Sequence, residues 1–222
     1  VLMDRATQKS LELTQTIRTQ DREGSLLGVI DQTKTPMGAR LLREWVVSPL
    51  RVSADIKYRQ IGVKELFENS ALRREFRDIL GNIYDMERIS TKVSCARANA
   101  RDLISLKQSL SKLPALKDKL TFCITDIFVC LEQQLDVLEE VRILIGTALV
   151  PDPPPAIKDG GLIREGYDAS LDELRYISKN GKNWIANFQA EEIERTGINS
   201  LKVGYNKVFG YYIEVTNIHK DN

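Results

Sequence analysis

The chain is short of the residues that most enzymes work with. A single histidine, His219, stands among 222 residues, and the three cysteines, Cys95, Cys123 and Cys130, have no Cys-x-x-Cys spacing. That spacing excludes the common zinc arrangements, and the lone terminal histidine leaves no credible Ser-His-Asp set. Three unpaired cysteines give no disulfide framework and fit a reducing compartment. Charge of either sign is not in surplus, with 32 basic against 31 acidic side chains. Any contact with nucleic acid must therefore come from a local patch rather than a global field. No apolar run approaches the roughly 20 residues of a membrane span, and no signal peptide opens the chain. The expectation is a cytoplasmic protein with no membrane partner.

Two apparent sites fail on their own chemistry. The glycines of Gly160-Gly-Leu-Ile-Arg-Glu-Gly166 lack the lysine and Ser/Thr that complete a phosphate-binding loop. The acids Asp85, Glu87 and Asp102 have Arg88 and Arg101 close in sequence, so they read as surface ion pairs rather than a catalytic pair. No catalytic residue, metal ligand or cofactor is assigned within the chain.

What the sequence has in quantity is helical periodicity. Val1 to Thr19 is ambiguous: Leu11 to Thr14 alternates like a short strand, while Asp4 can cap a helical turn. Ser25 reads as an N-cap, and Thr35-Pro36 combines a cap with proline at the first helical position, with Ser48-Pro49 as the stop. Ser53 reads as the cap of the next helix, and Ser70 as the start of another that Gly81 ends. Met86, Ile89 and Val93 give a buried stripe between Asp85 and Ala98, and leucines at 103, 106, 110 and 113 continue it to Pro114. Thr121 to Gly146 reads as one long, mostly buried helix.

Composition then shifts. Pro151-Asp-Pro-Pro-Pro-Ala-Ile-Lys-Asp-Gly-Gly161 reads as an extended connector, because three consecutive prolines cannot sit in a helix. A long helix follows from Asp168 to about Glu194, with Leu171, Leu174, Ile177, Trp184, Ile185 and Phe188 on one side. Beyond it, apolar residues alternate with polar ones around Asn206-Lys207, the pattern of a β-hairpin. One face collects Leu201, Val203, Tyr205, Phe209, Tyr211, Ile213 and Val215; the other collects Ser200, Lys202, Gly204, Gly210, Tyr212 and Glu214. Aligning these faces requires an odd loop, most simply Asn206-Lys207-Val208. The polar face, punctuated by glycine, reads as having room for a ligand backbone.

Two long runs carry a family resemblance. Glu194-Arg-Thr-Gly-Ile-Asn-Ser-Leu-Lys-Val-Gly-Tyr-Asn-Lys-Val-Phe-Gly-Tyr-Tyr-Ile-Glu-Val resembles the clamp segment of the MutS family of DNA mismatch repair proteins. Gly24-Ser-Leu-Leu-Gly-Val-Ile-Asp-Gln-Thr-Lys-Thr-Pro-Met-Gly-Ala-Arg-Leu-Leu-Arg-Glu-Trp is similar to the opening of the core domain of that family. The resemblance covers nearly the whole chain and implies a piece of a larger protein. It implies a mainly α fold: a multi-helix core domain over residues 1–150, a connector over 151–170, and over 171–222 a long lever helix with a β-hairpin tip belonging to a partial clamp domain, with no returning helix.

The functional expectations follow from that resemblance. The chain is expected to be non-catalytic, while the intact parent would be a DNA-dependent ATPase using ATP and magnesium. The parent would act as a homodimer on mismatched double-stranded DNA, with a MutL-type partner, near the bacterial nucleoid. DNA contacts are expected at Lys202, Asn206 and Lys207, with Asn199, Ser200 and Tyr205 nearby, since lysine, amide and hydroxyl groups suit sequence-independent phosphate contact. A purely structural helical interaction module, whose hairpin docks protein instead, and a recombination-linked member of the same family are the alternatives.

Overall fold

The computed structural model describes residues 3–206, 208 and 210–216, apart from the Lys182 side chain. Among these residues the fold is mainly α, as expected: eleven α-helices precede one two-stranded antiparallel hairpin. Two compact units divide the chain, Val1–Arg164 and Glu165–Asn222.

In the first unit, local chemistry sets most helix starts. Asp4 caps α1 (Arg5–Ser10) by accepting the Thr7 N–H at 2.7 Å, so the helical alternative wins at the N-terminus and Leu11 to Thr14 forms no strand. Ser25 caps α2 (Leu26–Ile30); the residue is fully buried, and its hydroxyl both accepts the Gly28 N–H and donates to the Arg22 carbonyl. Thr35 caps α3 (Pro36–Val47), with Pro36 where its missing N–H costs nothing.

Elsewhere the starts and stops move. α4 (Ser53–Glu68) takes Ser53 as its first residue rather than as its cap, while α5 (Ser70–Leu80) starts at Ser70 as expected, with Asn69 as its cap. The stripe after Asp85 divides into α6 (Met86–Ser94) and α7 (Ala100–Leu110), the latter fixed by a reciprocal Asn99–Asp102 capping box. Pro114 is not a stop; it occupies the first turn of α8 (Leu113–Leu120), where proline is tolerated.

The expected long helix from Thr121 to Gly146 is two helices, α9 (Asp126–Gln134) and α10 (Glu139–Ala148). Leu138 adopts φ +50° between them, and its N–H donates to the Asp136 carboxylate. That side-chain bond offers the backbone an alternative to helix. These two helices are also less buried than expected; Ile145 is their one fully buried residue among the described ones.

Three apolar clusters hold the unit. Leu72, Phe76, Leu120 and Cys123 join α5 to α8; Ala100, Ile104, Ile145 and Leu149 join α7 to α10; Ile83, Leu110 and Leu113 form the third, with Met37 of α3 against it. Glu65 of α4 supplies a polar fastening. Its carboxylate accepts the Ile124 N–H at 2.7 Å, the Thr125 N–H at 3.1 Å and the Thr125 hydroxyl, at the start of α9. Burial alone would raise its pKa, but these donors hold it below the usual carboxylate value.

Arg40 reaches Asp85 and Glu87 from α3, at 2.6 and 2.5 Å, which makes these acids structural. The Arg40 guanidinium holds Asp85 below its ordinary pKa, and Lys92 does the same to Asp102.

Cys123 is buried, and burial, with the nearby Glu65 charge, pushes its thiol up to about 11. Cys95 and Cys130 are exposed. Alkylation at pH 8 should therefore modify Cys95 and Cys130 on the order of a hundredfold faster than Cys123. Peptide mapping after timed labelling checks this, and Cys123 should catch up only in denaturant.

The proline-rich stretch, read as an extended connector, folds back on itself. The Val150 N–H donates to the Leu162 carbonyl and the Arg164 N–H to the Ala148 carbonyl, closing a loop around a Leu149–Ile163 bridge. Pro153 is fully buried, and its carbonyl accepts from the Arg101 Nε at 2.9 Å. Burying Leu162 and Ile163 against the α7–α10 cluster is what favours closure over extension.

Candidate nucleic-acid interface

The second unit is one helix and one hairpin. Asp168 caps α11 (Ala169–Thr196) through the Leu171 N–H, and Asp172 in the first turn accepts the Gly166 N–H at 2.7 Å. At 28 residues the helix is about 42 Å long. Gly181 does not interrupt it. Gly197 ends it in the left-handed region at φ +68°, with its N–H on the Ile193 carbonyl.

The chain then turns through Asn199 into β1 (Lys202–Asn206) and β2 (Gly210–Glu214). Ile198 and Leu201 are buried, and the Val203 N–H donates to Gln189 Oε1 at 3.0 Å, tying β1 to α11. The register pairs Lys202 with Glu214, Val203 with Ile213, Gly204 with Tyr212, Tyr205 with Tyr211 and Asn206 with Gly210. An odd loop is present, but the register leaves residues 207–209 between the strands instead of 206–208. Gly210, the first residue of β2, pairs with Asn206 at φ +76°, a backbone angle that favours glycine.

The residues expected at the interface separate into distinct places. Lys202 and Asn206 share one face of β1, with Gly204 between them, and Lys202 is exposed. The Asn206 carboxamide oxygen accepts the Val208 N–H at 2.9 Å, which orders the loop entrance. Tyr205 points to the other face, where its ring lies 5.0 Å from Tyr211. Ser200 shares a hydrogen bond of 3.0 Å with the Thr216 hydroxyl, and Asn199 is exposed in the turn before β1. Lys207 lies outside the described residues.

Two features qualify the polar face. Glu214, directly opposite Lys202, places a carboxylate at the far end from the loop. The room expected at Gly204 is occupied, because the Tyr212 ring lies across it: a Cβ built on Gly204 would meet the Tyr212 hydroxyl oxygen and Cζ at 2.7 Å each. Nothing stands within 4 Å of a Cβ at Gly210, so the open floor is at the loop end. Among the described residues no cluster of His, Cys, Asp or Glu could hold a metal, and no helix is long and apolar enough to cross a membrane.

The MutS domain III family model matches residues 6–211. The chain belongs to the MutS family. It is 49% identical to the DNA mismatch repair protein MutS of Acetivibrio thermocellus over 97% of its length, and 48% identical to that of Halothermothrix orenii over 100%. The corresponding protein of Salinibacter ruber is 46% identical over 100%. The chain spans about a quarter of the length of each of these relatives.

For a MutS chain, the run that carries the resemblance near the C-terminus is the run that builds the helix end and the hairpin. Sequence reasoning places Tyr212 on the polar face but gives it no role there. The available signal is its position opposite a glycine, a pairing in which an aromatic ring covers the bare backbone.

Along the same helix, Leu174, Ile177 and Trp184 are exposed, and Trp184 stacks on Phe188 at 5.4 Å. Ile177, Trp184 and Phe188, with Val203, Tyr211 and Ile213, line an apolar groove of about 920 Å³. An uncovered stripe of this kind leaves helical hydrogen bonds poorly protected. The 222-residue chain is expected either to self-associate through this stripe or to exchange the amides of Leu174 to Phe188 faster than those of α7. Hydrogen exchange on a verified monomer checks this; equal protection would contradict it.

Proposed function

We propose that this chain is a non-catalytic part of a DNA mismatch repair protein, and that its hairpin contacts the phosphate backbone of duplex DNA without reading sequence. The observation that carries the reading is the shared face of Lys202 and Asn206, at the two ends of a strand tied to a long helix. A cation and an amide suit phosphate oxygens, and the Asn206 carboxamide oxygen, the acceptor half of the pair an asparagine uses to read adenine, is engaged by the Val208 N–H. The chain would occupy the core domain, lever helix and first part of the clamp. The parent would be a dimeric ATPase that uses ATP and magnesium and acts with a MutL-type partner.

The relatives named as mismatch repair proteins support the process, and the hairpin geometry supports the contact. A rigid helix with its tip on the backbone would turn a small rotation at its base into a larger displacement at the duplex.

Lysine footprinting tests the contact. In the full-length protein, the Lys202 amine should lose reactivity toward an acylating reagent when duplex is added, while the exposed Lys57 of α4 keeps its reactivity. Equal labelling of Lys202 with and without duplex would move the contact elsewhere. The purified 222-residue chain should neither bind nor hydrolyse ATP, since its glycine-rich segment lacks the lysine and hydroxyl of a phosphate loop. Saturable binding at micromolar ATP would contradict this.

Docking of the hairpin to another protein is the second reading, favoured by the apolar Val203, Tyr211 and Ile213 beside the groove. It predicts hairpin interactions that respond little to salt, unlike phosphate binding.

A further inference from the structure

We propose that Tyr212 is a further phosphate-contacting side chain of the hairpin, and that Gly204 is the positioning residue that seats it. The inference rests on the duplex-binding reading above. In the antiparallel register Gly204 and Tyr212 are directly opposed, and both belong to the face that carries Lys202 and Asn206. The phenol lies so close over Gly204 that a Cβ there would stand 2.7 Å from its hydroxyl oxygen, 2.7 Å from Cζ and 3.2 Å from a ring carbon. The hydroxyl is therefore held between Lys202 and Asn206 along the strand, rather than swinging free at the end of its side chain.

Tyr212 is nonetheless 40% exposed. Among the described residues its hydroxyl has no hydrogen-bond partner, which leaves its donor available. A seated ring with an open O–H donor, between a cation and an amide, has the chemistry to meet a phosphate oxygen. Tyr205 and Tyr211 offer the internal contrast, because they lie on the opposite face against each other. Glu214 faces Lys202 at one end of the row, while Gly210 is open at the other. A backbone laid along this face would run from Lys202 over Tyr212 to the loop, with the Glu214 carboxylate beside it only at the Lys202 end.

Because the atoms that crowd Gly204 are the far end of a movable side chain, Gly204→Ala should fold and simply displace the phenol. That makes a double-mutant cycle informative. Duplex affinity of the full-length protein would be measured over several salt concentrations for Tyr212→Phe, Gly204→Ala, their combination, Tyr211→Phe and Lys202→Glu. Tyr212→Phe keeps the ring and removes only the donor, so a structural role for the ring would leave affinity unchanged.

The expected result is a loss of about 5–10-fold for Tyr212→Phe. Its salt slope should be unaltered, because no charge is removed. Gly204→Ala should lose a similar factor, the combination should be no weaker than the weaker single variant, and Tyr211→Phe should bind normally. Wild-type binding by Tyr212→Phe, with weakened binding by Lys202→Glu, would overturn the proposal and leave the duplex reading standing. Additive losses in the combination would overturn the role given to Gly204. Unchanged binding by both Lys202→Glu and Tyr212→Phe would overturn the duplex reading itself.

Discussion

Replacing Gly28 by alanine is expected to destabilise the N-terminal end of the first unit severely, whereas the same change at Gly181 should stabilise α11. Gly28 sits in the short α2, its N–H on the Ser25 hydroxyl, and a Cβ there would lie 2.1 Å from the Arg22 carbonyl oxygen. That oxygen is backbone, and it is held in place by the buried Ser25 hydroxyl and the Ser25 N–H. Relief therefore requires moving the chain rather than a side chain, at a cost of about 3 kcal/mol. The loss should appear as a lower urea midpoint and as faster exchange of the Leu27 N–H, which donates to the Leu13 carbonyl.

Gly181 is mid-helix with nothing within 4 Å of its Cβ position. Alanine there should add about 0.5–1 kcal/mol by reducing the freedom of the unfolded chain. A Gly28→Ala protein as stable as wild type would contradict the close approach in this structure. Equal destabilisation by Gly181→Ala would mean that the open position is occupied.

The second large effect concerns the hairpin. Reversing Lys202 and Lys207 to glutamate in the full-length protein should weaken duplex binding by at least about a hundredfold at low salt. Under the proposed contact, each lysine removed would leave a phosphate without its cation, and each new carboxylate would repel the DNA backbone from a hairpin that already carries Glu214. The weakening should be the same on every sequence tested, and preference for a mismatch should change little, since phosphate contacts position without specifying. Asn206→Ala should cost only about 1 kcal/mol, because a neutral hydrogen bond is all it forfeits. A selective loss of mismatch preference would point instead to coupling through α11.

Where a residue's own side chain decides the backbone, the fold is legible in the sequence. Thr35-Pro36 and Asp168 mark the helices they cap, and the polar–apolar alternation after Leu201 marks the hairpin and its two faces. Even-numbered and odd-numbered residues stay on their faces under a slip of two. The faces can therefore be assigned without the register, which pairs Asn206 with Gly210. The break between α9 and α10 is not legible, because Gln-Leu-Asp-Val-Leu contains neither glycine nor proline; it is held by the Asp136 side-chain bond to the Leu138 N–H and by Lys117 on the Leu135 carbonyl. Pro114 fits a helix end or a helix start equally well in sequence; packing of Leu110 and Leu113 into one cluster selects the start.

The candidate site divides in the same way. Lys202 and Gly204 on one face follow from period two, as does Tyr205 on the other. The seating of the Tyr212 ring over Gly204 depends on which residues are opposed, so it requires the register. The closed proline loop likewise depends on Leu162 and Ile163 finding the α7–α10 cluster, a contact that composition does not encode.

The claim that the hairpin meets phosphates is tested most directly by the salt dependence of duplex binding in the full-length protein. The logarithm of affinity would be plotted against the logarithm of salt concentration for wild type and for the Lys202→Glu, Lys207→Glu variant. The account predicts a line flattened by about two units in the variant, close to one for each phosphate that no longer has a lysine to neutralise it. Parallel lines at equal affinity would contradict it and take the hairpin off the DNA.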